Sequence, residues 1–247
     1  QKAAYEISLG LVGSEMCIRD SFHDMDDRRY GPLRRLYGLL RKPSETMEDI
    51  AASPDCIGPI LIMAFYVATF SSYAYCVHRK FYITGPYAQI LKNELAITLA
   101  LSVILAALLF PIRWILKSLV VWKACDKGSS WDFRRALSIT GYAYIADLVT
   151  SLATALMIAT LAPTFHIDTS DLTEALRLLK EEYSAEIRVL ERYGLAFRFG
   201  ASVWKSYLGA LGVYHGTEGR CPKPLGFAVF LALSLITVLM TAAGRLI

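Results

Sequence analysis

The chain has 247 residues, 55% of them hydrophobic, with a mean hydropathy of +0.40 and a net charge of +4. That apolar share lies above the 45–50% usual for soluble globular chains, and it falls in blocks, which points to a membrane protein. The charge balance is too mild for a nucleic-acid partner, and the five cysteines show neither CxxC pairs nor metal-ligand spacing beside the four histidines.

Residues 1–21 read as a non-native leader. Leu11 to Ser21, LVGSEMCIRDS, looks like translated sequencing-adapter DNA, and the segment lacks the apolar core and small-residue cleavage site of a signal peptide. The natural start is then expected near Met25. Residues 22–53 form an amphipathic N-terminal segment in which Leu33, Leu36, Tyr37 and Leu40 share one helical face and bases line much of the rest. Such a helix suits either a membrane interface or a solvated position on the bundle. Pro43 is placed to open a second helix over 43–52, which Ser53-Pro54 ends.

The membrane domain is expected over 54–247, as an all-α, polytopic bundle of about five helices. Cys56 to Val77 contains no charged side chain for 22 residues, enough to cross a bilayer. The spans are read at 56–78, 95–116, 136–162, 195–214 and 225–244. A basic loop, 117–135, follows the second. Residues 164–193 carry seven acids and four bases; within them an extramembrane amphipathic helix is expected over 170–193, with Asp171 and Glu174 as its capping pair. The fourth span is the least apolar, since it holds Arg198 and Lys205.

With the N-terminus inside, the segments 26–53, 117–135 and 215–224 hold six, five and two bases, thirteen in all. The opposite side holds eight. The excess of inside bases predicts a cytoplasmic N-terminus. Asp147 and Lys205 lie near the middle of their spans, where a lone charge costs roughly 2.5–3.5 kcal/mol, so each should face the bundle interior with the other as its natural partner. The pair is open to two readings, a structural contact or a proton or ion path. Arg198 can reach the interface by itself. Gly209, Gly212 and Gly216 give the fourth span a smooth stripe suited to close packing within the chain or to a homo-oligomer. Trp114, Trp122, Trp131 and Trp204 are expected to anchor span ends at the interface. No catalytic motif occurs, so neither an enzyme nor a cofactor is expected.

Several short motifs carry a family resemblance. Pro43 and Thr46 lead into Asp55-Cys56-Ile57-Gly58-Pro59, and Ser130 to Leu137 is followed by Gly141-Tyr142; Trp204 precedes the run to Gly216. Over residues 31–247 the chain resembles the Yip-one (Yip1) domain family of five-span proteins, named for binding Ypt/Rab GTPases and also found in prokaryotes. The chain departs from the family pattern at Cys56 and Ala146 and in its short N-terminal region. The resemblance implies a prokaryotic-type scaffold or adaptor in the cell membrane. Its partners would be the bilayer and a cytosolic protein or anionic lipids at 26–53 and 117–135. The alternative is a small-solute or ion permease using Asp147 and Lys205.

Overall fold

A computed structural model describes residues 31–125 and 131–243; for most of 172–192 and for 240–243 it describes the helix but not the side chains. The leader, the rest of the segment before Gly31, the middle of the basic loop and the leucine face of the acidic helix lie outside what is described.

Two short helices come first, α1 (Pro32–Arg41) and α2 (Pro43–Ala52), each with proline in its first turn, where a missing N–H costs nothing. The bundle follows as α3 (Ile57–Arg79), α4 (Ala88–Ala124), α5 (Phe133–Ala143), α6 (Ile145–Leu161), α7 (Leu172–Gly216) and α8 (Lys223–Ala243). Three stretches are long and apolar enough to cross a membrane: Ile57–Arg79, Ala88–Ala124 and Phe133–Leu161. α8 contributes a shorter apolar stretch, Lys223–Leu239. Large apolar side chains on α4, Ile97, Leu101, Ile104 and Leu108 among them, face outward, as a lipid-facing helix requires.

The structure differs from the sequence expectation in four places. The second helix starts at Ala88 and runs through Pro111 to Ala124, so Lys117 and Lys123 sit on a helix instead of in a loop. The third span is broken at Tyr144, between α5 and α6. The acidic helix and the fourth span are one helix of 45 residues, roughly 67 Å long at 1.5 Å per residue. Asp171 does begin it, accepting from the Thr173 backbone N–H at 2.8 Å. Finally, two strands interrupt the all-helical plan: β1 (Phe81–Thr84) and β2 (Phe165–Asp168) pair in parallel, with Phe81 opposite Phe165 and Ile83 opposite Ile167. The sheet is small because each strand offers only two residues to bury; Phe81, Ile83 and Ile167 pack with Val77 beneath it.

The main core gathers at one end of the bundle, where α1 and α2 lie. It joins Leu39, Met47, Ile50, Ile62, Val121, Ile139, Tyr142, Leu208 and Val213. Trp114 and Trp131 belong to this core too, in place of the interface positions expected for them. Their indole N–H groups donate to the carbonyls of Leu137 (2.8 Å) and Trp122 (3.0 Å), stitching α4 to α5 and to the residue leading into it.

Candidate functional site

The residues Asp55, Gly58, Pro59, Gly141 and Tyr142 meet at one node. Asp55 lies in the short link between α2 and α3. Its Oδ1 accepts from the Gly58 backbone N–H at 2.9 Å, satisfying a first-turn donor of α3. Its Oδ2 accepts from the Tyr142 hydroxyl at 2.9 Å, and its own N–H donates to Ser138 Oγ at 3.2 Å. Arg35 completes the node from α1. Its guanidinium binds Asp55, donates from Nε to Asp49 at 2.7 Å and from Nη1 to the Ser53 carbonyl at 2.9 Å. Arg35 is only 3% exposed. Burial works against its charge, but Asp49 more than offsets this, so Arg35 holds its proton more tightly than a free arginine.

Glycine makes the node possible. A Cβ on Gly58 would overlap the Tyr142 ring and hydroxyl, and one on Gly141 would overlap Pro59 and crowd the Trp114 indole. Each glycine of one helix thus receives the bulky neighbour of the other. The stripe on α7 works in the same way: Gly209 faces Phe230 of α8, Gly212 faces Ile139 of α5, and Gly216 faces Trp131. All three close contacts are within the chain.

Two residues that composition alone misplaces are Arg35 and Ser138. Arg35 sits among Arg34, Arg41 and Lys42, and a basic run gives no sign of which base turns inward. The inward side of α1 holds Arg35 and Leu39, whereas Leu33, Tyr37 and Leu40 point out, at 66%, 60% and 52% exposure. Leu33, Tyr37 and Leu40 therefore face away from the described part of the protein, flanked by the exposed Arg34 and Arg41, while Leu36 packs on the main core.

The second constellation lies deeper. Lys205 Nζ of α7 donates to Asp147 Oδ2 of α6 at 2.7 Å, and Lys205 is 7% exposed. Both line a cavity of about 560 Å³ between α3, α4, α6, α7 and α8. An aromatic tier, Tyr66–Phe110–Tyr144, contributes to its wall, with ring centroids 5.0 and 4.8 Å apart. Lys205 Nζ lies 5.1 Å and Lys117 Nζ 5.7 Å from the centre of the Tyr144 ring. Arg198, two turns along α7 from Lys205, lines the same cavity. Among the described residues no group of three His, Cys, Asp or Glu is placed to hold a metal.

Residues 37–244 match the family model described as the Yip1 domain. No curated protein and no solved structure matches the chain.

Proposed function

The chain belongs to the Yip1 domain family, and on that premise we propose a non-catalytic scaffold that holds a helical platform, α1 and α2, on a membrane-embedded bundle. The observation that carries this reading is the buried Arg35–Asp49–Asp55–Tyr142 node. It ties both platform helices to α3 and α5 through charge-assisted hydrogen bonds, which suits a structural role. The outward face of α1, with Leu33, Tyr37 and Leu40 between Arg34 and Arg41, suits the interface of an anionic leaflet. In this reading the platform lies on the cytoplasmic side of a prokaryotic cell membrane. A cytosolic partner would meet it beside the bases of 117–135. The internal use of Gly209, Gly212 and Gly216 leaves a homo-oligomer without support from that stripe.

A second reading, a permease for a small solute or ion, draws on the cavity that reaches Asp147 and Lys205. Reconstitution in liposomes separates the two. The scaffold predicts proton and cation flux no higher than that of protein-free vesicles, with or without Asp147→Asn. Flux from the parent chain that Asp147→Asn abolishes would replace the scaffold with the permease.

A further inference from the structure

Among the described residues, the cavity carries an excess of positive charge. Lys80, Arg113, Lys117, Arg198 and Lys205 line it, and among the described residues Asp147 is the one carboxylate in its lining. That carboxylate is already engaged by Lys205, and Lys80 rests on the Ala162 carbonyl at 2.8 Å. Among the described residues, no carboxylate lies within ion-pair distance of Arg113, Lys117 or Arg198. On a water-exposed surface such an excess would be ordinary. Within the membrane-crossing part of a bundle, a base that neither pairs nor reaches the interface is costly, roughly 2.5–3.5 kcal/mol at mid-span. An anion from outside the chain would offset it.

The rest of the wall says what kind of anion. Phe70, Tyr73, Val77, Ile158 and Leu195 give the cavity a long apolar side. From Tyr66 to Val77 on α3 that side extends roughly 16 Å at 1.5 Å per residue, and across from it α6 presents Thr150, Ser151 and Thr154, whose hydroxyls bond carbonyls of their own helix, and Ile158. A bare inorganic anion would leave this wall unfilled, whereas an acyl chain would cover it. The geometry points to a binding site for one anionic phospholipid, with its phosphate among Arg113, Lys117 and Lys205 and an acyl chain along α3 and α6. The volume lies within the range of about 300–1,000 Å³ common for small-molecule sites. The assignment goes beyond the scaffold reading, since it concerns what fills the bundle, and a chain with or without solute flux can hold the lipid.

Thermal unfolding of the full chain in detergent micelles tests it, with short-chain phosphatidylglycerol, short-chain phosphatidylcholine and inorganic phosphate titrated separately. Binding to the folded state alone raises the Tm. Phosphatidylglycerol should raise it clearly, phosphatidylcholine little, and phosphate not at all. Arg113→Gln with Lys117→Gln should weaken the phosphatidylglycerol response roughly tenfold or more in concentration, as loss of charge-assisted bonds implies. Lys92→Gln, exposed near the start of α4 and away from the cavity lining, should leave it intact. Thr154→Trp keeps every charge, fills the apolar limb and should abolish the response. Equal stabilisation by phosphatidylcholine overturns the site, as does a response from phosphate alone. So does a parent-like response in the Arg113/Lys117 variant or in Thr154→Trp. The comparison of the two lipids on the parent chain decides even where a variant fails to fold.

Discussion

At the end of the bundle that carries α1 and α2, helices touch through glycine; toward the β1–β2 end, the same helices surround a cavity. Every residue of α5 from Ser138 to Ala143 is buried, whereas α6 buries only Ile145 and Ala146. Helix α7 divides in the same manner, exposed from Leu195 to Gly200 and largely buried from Ala201 to Gly216. Composition explains the contrast. In lipid there is no hydrophobic gain from joining two apolar helices, so close approach depends on small residues and interhelical hydrogen bonds. The packed end has Gly58, Gly141, Gly209, Gly212 and Gly216 at its contacts. In the open half, Gly194 and Gly200 meet nothing within 4 Å. The hydroxyls of Thr150, Ser151 and Thr154 bond to carbonyls of their own helix instead of crossing to a neighbour. The packed end carries α1 and α2, and the open half encloses the cavity.

Substitutions at the two ends should differ in kind. The largest effect is expected for Arg35→Ala, which strands Asp49 and Asp55 without their cation. A loss of about 3 kcal/mol, near the lower bound for breaking a buried ion pair because both carboxylates keep some solvent, should appear as a lower unfolding midpoint in detergent. Gly141→Val forces a side chain into Pro59 and Trp114 and should cost about 2 kcal/mol by the same measurement. Thr140→Val should move in the opposite direction. The Thr140 hydroxyl is buried without a hydrogen-bond partner, so its removal should stabilise by about 1 kcal/mol. Ser151→Ala, on the cavity wall, removes a bond only to the Leu148 carbonyl and should change stability by less than about 0.5 kcal/mol. A large loss at Ser151, or none at Gly141, would break the division between the halves.

The sequence made the apolar segments readable, because about twenty uncharged residues leave few options other than crossing lipid. It also brought Asp55, Gly58, Gly141 and Tyr142 forward as a set, and those residues do meet. Arg35 was not readable, since its inward turn depends on Asp49 and Asp55 arriving from two other segments. The break at Tyr144 carries no proline or glycine, and the single Gly194 does not end α7. The strands were hidden by length: four residues of aromatic and β-branched character are too few to register against helical surroundings, although Phe-Tyr-Ile-Thr and Phe-His-Ile-Asp share a pattern. The cavity could not be read at all, because it is made by what the helices fail to touch.

The parallel pairing of β1 with β2 acts as a parity rule for the topology. Two strands bonded side by side, with Tyr82 stacked 5.2 Å from His166, share one compartment. The chain between them must therefore cross the membrane an even number of times. Helix α4 supplies one passage and the α5–α6 pair the other, so neither can cross without its counterpart. Helices α3 and α6, each leading directly into a strand, leave the bilayer on the same side and in the same direction. A single reporter at Tyr82 thus fixes the side of His166 as well.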